Sequence, residues 1–299
     1  MNSTTINMIN NINPMFFKGF IVFVIVASLF ILIKGYLEVD GFKKTITKLI
    51  RFYLVLIIIG SASVLGKRLY DYQTNKKNTK IVDNIVKEVE EESKNAINEN
   101  GEKEDSFVEK EKKYMETLKR VRAINKDAIG FIEIPGTWVN YPILQGPDND
   151  YYLDKGLTKE YDIGGSIFID TGNSNNFTDD NTVIYGHHMY IDSMFTALDN
   201  FKDQNFAENN RKIYITTLDG LKEYQVFSAY GAPSTYNYRV LRFGNKNDKP
   251  EYFNELKSKS EVSLNTRPFA SGDKIITLST CAYDYDDQRF VVQAMLVRE

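Results

Sequence analysis

The pattern of apolar and polar positions divides the chain into three stretches of different texture. Residues 19–33, GFIVFVIVASLFILI, form an uncharged run, extended at its front by Phe16 and Phe17. A second run, FYLVLIIIGSASVLG, covers 52–66. Neither has a polar face, so neither reads as the half-buried helix of a soluble core. Each falls short of the ~20 residues a helix needs to span a bilayer. Lys18, Lys34, Arg51 and Lys67 can snorkel to the interface and complete both spans. The pattern therefore predicts a membrane anchor over 1–70. Either two helices cross, at about 16–37 and 49–66, or one crosses at 52–66 while the first run lies on or dips into the membrane.

Residues 71–118 are rich in Lys, Glu and Asn and poor in aromatics. Ile81-Val82, Ile85-Val86 and Val89 recur at helical spacing, and charge signs alternate from Glu109 to Arg122. This predicts a solvated helical stalk, interrupted at Asn100-Gly101, that holds the remainder away from the bilayer.

Residues 119–299 form the third stretch, in which short β-type runs alternate with turn residues. The runs are 129–134, 138–144, 166–169, 182–185, 212–217, 223–230, 274–281 and 289–297. Pro135-Gly136 and Asp219-Gly220 supply turns, the second a hairpin turn. Residues 192–201 and 250–259 read as helical inserts, with Pro250 suited to a first helical turn. A mainly β domain, closed or sandwich-like, is expected.

Composition adds two constraints. With 42% hydrophobic residues the 299-residue chain can build a core, and a net charge of -3 argues against a nucleic-acid partner. The segment from Lys34 to Arg51 carries Lys34, Lys43, Lys44, Lys48 and Arg51 against Glu38 and Asp40. The positive-inside rule places it in the cytoplasm, with everything after Gly66 outside, although Lys67 and Arg68 oppose this. The N-terminal tail lies outside if two helices cross. Met1 to Pro14 lacks a basic region, so no cleavable signal peptide is expected.

The candidate chemistry is a thiol, an imidazole and a guanidinium. Cys281 is the only cysteine, so it cannot form an intramolecular disulfide, and its value lies in packing or in reactivity. His187 and His188, the only histidines, follow the run at 182–185, and Arg289 follows Cys281 by eight residues. The thiolate is the nucleophile, and a nearby cation stabilises it. Adjacent side chains on an extended segment face opposite ways, so at most one histidine should reach the thiol.

Tyr185-Gly186-His187-His188-Met189, the strand end Leu278-Ser279-Thr280-Cys281, Arg289, and the segment from Asn140 to Gly146 together resemble the sortases, class B in particular. The resemblance covers roughly 119–299 and implies a closed sortase-type β-barrel with short helical inserts. It implies a membrane-anchored cysteine transpeptidase with Cys281 as nucleophile, His187 after the glycine as acid and base, and Arg289 as the essential arginine. His188 would be structural. Asn149, Leu153, Tyr185, Tyr238 and Ser279 would line the substrate groove. The implied partners are secreted proteins bearing a C-terminal sorting motif, and an acceptor amine on a peptidoglycan cross-bridge or stem, or a pilin lysine. The catalytic domain would face the cell wall. Two readings stand beside it: a cysteine endopeptidase that hydrolyses the motif, and a catalytically silent surface scaffold. Asp284, Asp286 and Asp287 make the segment 282–288 acidic, but it lacks EF-hand spacing, and a zinc site lacks ligands. No metal and no cofactor are expected.

Overall fold

The computed structural model describes residues 14–37, 41–100, 106–189, 192–233, 235–282 and 288–299. The chain separates into two units, Met1–Tyr70 and Asp71–Glu299.

In the first unit, helix α1 spans Pro14–Leu37, and helix α2 begins at Phe42. The two meet where Gly35 leaves room for the Thr45 side chain, and the Ser28 and Tyr53 hydroxyls lie 2.8 Å apart. Apolar side chains here point outward: Phe30, Ile57 and Ile58 are all exposed. Among the described residues one helix, α2, is long and apolar enough to cross a membrane, and Phe23–Tyr36 is a shorter apolar stretch. The N-terminal tail assigned outside by charge falls on 1–13, outside the described residues.

Helix α2 spans Phe42–Asn100. The expected stalk differs from a solvated spacer along much of its length. Val82, Val86 and Val89 are buried. Helix α3, Ser106–Ile124, buries Tyr114, Leu118 and Val121, a stripe at i, i+4 and i+7. Val82, Val86 and this stripe form one cluster with Ala128, Phe131, Leu144, Tyr152 and Phe168, and the Tyr114 ring stacks on Phe131 at 5.2 Å. Charged residues tie the helices along the outside, with Lys113 paired to Glu90 and Arg120 to Glu92. Such exposed pairs contribute only ~0–1 kcal/mol each, so the apolar stripe decides the docking.

Eight strands form a closed barrel: β1 Ala128–Glu133, β2 Asn140–Leu144, β3 Ile167–Ile169, β4 Asn181–Gly186, β5 Lys212–Thr217, β6 Gly220–Pro233, β7 Ile275–Ala282 and β8 Gln288–Arg298. Around the barrel they run β1-β2-β3-β4-β7-β8-β6-β5. The pairs β2–β3 and β4–β7 are parallel and the rest antiparallel. Ile132, Ile143, Ile169, Ile184, Ile215, Val226, Leu278 and Val292 fill the interior. Both helical inserts form. The first is a 3-10 helix, Phe195–Lys202, followed by helix α4, Gln204–Asn209, capped where Asp203 accepts from the Phe206 amide. The second is helix α5, Lys249–Ser258, with Pro250 in its first turn.

Candidate active site

Two strand registers build the site. The parallel pairing of β4 with β7 runs from Asn181↔Ile275 to Gly186↔Thr280, so His187 and Cys281 follow as the next residues of adjacent chains. The antiparallel pairing of β7 with β8 sets Cys281 directly opposite Arg289. Neighbouring strands lie ~4.8 Å apart, so three residues distant in sequence share one end of the barrel.

Gly186 permits this packing. A Cβ there would lie 2.5 Å from Ile167 Cδ1 and 2.7 Å from the Phe195 ring. Any larger residue would force Ile167, Phe195 or the strand end itself to shift.

The two histidines have different surroundings. His187 Nε2 donates to the Leu153 carbonyl at 2.6 Å, which leaves Nδ1 as the nitrogen free to exchange a proton in the neutral ring. Desolvation by burial lowers its pKa from the ordinary value of 6.5. The Leu153 carbonyl and Asp162 oppose that shift, and Arg289 adds to it. His188 Nε2 lies 2.6 Å from Asp199 Oδ2, on the insert that packs behind the strand end. Burial raises the pKa of Asp199, but His188 and Lys202 outweigh it and the carboxyl is lowered.

A cleft of about 220 Å³ opens beside this end of the barrel. Asn149, Leu153, Tyr185, Tyr238 and Ser279 all line it, together with His187 and Arg289. Asp170 anchors one wall, accepting from Tyr185 at 2.8 Å and from Asn149 Nδ2 at 3.1 Å. Beside them the Tyr238 and Ser279 hydroxyls are 2.9 Å apart, and Ser279 is the register partner of Tyr185. Gly186 and Thr280, both within the quoted motifs, and Asp150, Phe168 and Arg239, which were not singled out from sequence, complete the lining. Asp150 and Arg239 each adjoin a residue that was, which is the only signal they carried. Asp284, Asp286 and Asp287 lie outside the described residues. Among the described residues no group of three or more His, Cys, Asp or Glu could hold a metal ion.

A cysteine, a histidine and an arginine brought to one barrel end beside an open cleft are the parts of a thiol enzyme. Residues 132–297 match the model of the sortase domain, and the chain belongs to the sortase family. Its relatives are of class B. It is 35% identical to sortase B of Listeria monocytogenes over 252 residues, covering 82% of this chain and 95% of that protein. It is 37% identical to sortase B of Staphylococcus aureus over 177 residues, covering 58% of this chain and 72% of that one. The structure of a Staphylococcus aureus sortase B–substrate complex superposes with a TM-score of 0.59 at 31% identity, covering 71% of this chain and 94% of the other. The expected closed barrel and the expected enzyme class, a sortase B-like cysteine transpeptidase, are both met.

Proposed function

We propose that this transpeptidase cleaves a C-terminal sorting motif of secreted proteins after a threonine and passes the acyl group to a cell-wall amine. His187 Nδ1 takes the Cys281 thiol proton, the thiolate attacks the threonine carbonyl to form a thioester, and the downstream amine is expelled with that proton. The acceptor amine then gives a proton back to Nδ1 as it attacks the thioester, and the thiolate is regenerated. Arg289 donates to the oxygen on which negative charge develops. Asn149, Leu153, Tyr185, Tyr238 and Ser279 hold the peptide.

The observation that carries this reading is the pair of registers that bring Gly186 beside Thr280 and Cys281 opposite Arg289. The substrate complex of the Staphylococcus aureus relative supports a peptide-binding cleft on this fold. The apolar helices support a membrane anchor, and the basic segment from Lys34 to Arg51 supports a catalytic unit outside, facing the wall. Peptidoglycan cross-bridge or stem amines and pilin lysines are the acceptor classes.

The test is the purified full chain in detergent, incubated with a library of fluorogenic sorting peptides, with and without an amine acceptor. Cleavage that needs Cys281, and ligated product that grows with acceptor, is the expected result. Cleavage that no acceptor diverts from hydrolysis would make the protein an endopeptidase, and a Cys281→Ala variant that still turns over would end the enzymatic reading.

A further inference from the structure

Asp162 is a fully buried carboxylate in the connection between β2 and β3, the segment that also contributes Asn149, Asp150 and Leu153 to the cleft. Its partners come from helix α2. Asn75 Nδ2 donates to Oδ1 at 3.0 Å and Asn78 Nδ2 to Oδ2 at 2.7 Å, while the Gly164 amide donates to Oδ1 at 2.9 Å. Glycines make the approach possible. A Cβ on Gly156 would lie 2.6 Å from the Asn78 amide nitrogen, and one on Gly164 would overlap that of Asn75.

The same segment is knitted back to the histidine. The Asp162 amide donates to the Asp154 carbonyl at 2.9 Å and the Ser166 amide to the Tyr152 carbonyl at 3.0 Å. Gly165, at φ 55, lies so close under the Tyr152 and Leu153 carbonyls that no side chain fits there. The Leu153 carbonyl in turn accepts from His187 Nε2. A continuous path of hydrogen bonds and close packing therefore leads from two helix asparagines to the catalytic imidazole. An apolar contact would have sufficed to dock the helix, as Val82 and Val86 already do. Two amides aimed at one buried carboxylate specify instead where the segment sits, because a shifted loop would leave that charge unpaired.

We infer that Asn75, Asn78 and Asp162 are positioning residues for the transpeptidation reaction: they lock the 150–166 segment so that the Leu153 carbonyl holds His187 in the Nε2–H tautomer, with Nδ1 turned to the substrate. This rests on the role given to His187 above.

The hydrogen-bond pattern prescribes its own test. Asn78→Asp sets two carboxylates against each other and breaks the lock. Adding Asp162→Asn restores it in reverse, since the new amide donates where Oδ2 accepted, and Oδ1 still takes Asn75 and Gly164. Full-length proteins in detergent are compared for peptide cleavage and for the ¹⁵N signals of their two histidine rings, assigned with a His188→Ala control. In Asn78→Asp, kcat should fall about tenfold or more with KM less affected, up to a ceiling of the ~10²–10⁴-fold that a general acid–base group is worth. The His187 ring should leave the pure Nε2–H form. The double variant should regain both to within about twofold. A cooperatively melting Asn78→Asp with wild-type kcat and ring signals would overturn the inference, as would a double variant no better than the single. If Asn78→Asp does not fold, Asn78→Ala removes the donor without adding charge and is judged by the same two readouts. The ring signals do not depend on catalysis. Should His187→Ala cleave peptide at the wild-type rate, the acid–base reading fails while the lock is still decided by the spectra.

Discussion

Cys281 and Arg289 are directly opposed across the antiparallel ladder of β7 and β8. That register sets the two backbones opposite one another by sheet pairing.

Replacing Arg289 by Lys keeps the charge and loses the planar fork that can make two parallel hydrogen bonds to substrate oxygens. On the mechanism proposed here the rate should fall ~10²-fold or more, as when an oxyanion donor is removed. Steady-state cleavage of a sorting peptide decides this, and equal rates would reduce Arg289 to a surface charge on the last strand.

The two histidines should separate cleanly. His187→Ala should cost ~10²–10⁴-fold in kcat/KM as the acid–base step is lost. His188 is held by Asp199 behind the strand end, so His188→Ala should leave most of the activity and lower the melting temperature instead. Reversed losses would transfer the role to His188.

The depressed pKa of His187 makes a prediction about stability. Burial disfavours its charged form, so below pH 6.5 the unfolded chain binds the proton more readily than the folded one. This contribution is present above the ordinary histidine value and is lost as pH falls from there through the folded pKa. Urea midpoints measured between about pH 7 and 5 should drop more steeply for wild type than for His187→Ala. Carboxylates common to both proteins cancel in the comparison, and parallel slopes would refute it.

Away from the site, Lys249 is 2% exposed, and its Nζ lies 2.7 Å from Asp180 Oδ1 and 2.8 Å from the Asp273 carbonyl. Lys249→Ala takes the cation from Asp180, which keeps the Phe243 amide on Oδ2 and some exposure, and should cost ~1–3 kcal/mol. Denaturant unfolding measures this, and a loss near zero would mean that water reaches the carboxylate.

The membrane topology calls for labelling, because activity cannot distinguish one span from two. In a Cys281→Ala background, a cysteine introduced at Asn7 should react with a membrane-impermeant thiol reagent on intact cells if both apolar segments cross. Its protection, with a control cysteine at an exposed stalk position labelled, would leave the single-span arrangement.

Much of the barrel was legible because its strands are short apolar runs bounded by turn residues, and α5 because Pro250 marks its start. The order of the strands was not. The parallel pairs β2–β3 and β4–β7 depend on crossovers that leave no local signature. The stalk misled for a different reason: charges at Lys110, Lys113 and Arg120 mask the stripe Tyr114, Leu118 and Val121, whose partners on the barrel lie elsewhere in the chain. Cys281, His187 and Arg289 stood out through motif order. Asp162, Asp170 and Arg239 did not, because an isolated polar residue in a loop acquires meaning only from the partner it meets.

The closing strand carries a kinetic consequence. β8 is the piece that joins β7 to β6, and β4 meets β7 only after the chain has returned from residue 186 to residue 275. Pairings so distant along the chain demand loop closure before any contact repays it, which slows folding toward the millisecond-to-second range typical of high contact order. Cys281 and Arg289, eight residues apart on a hairpin, can pair locally, whereas His187 comes beside them only once the long closure between β4 and β7 is made. On the proposed mechanism a chain that has not made that closure lacks the acid–base partner of its thiol.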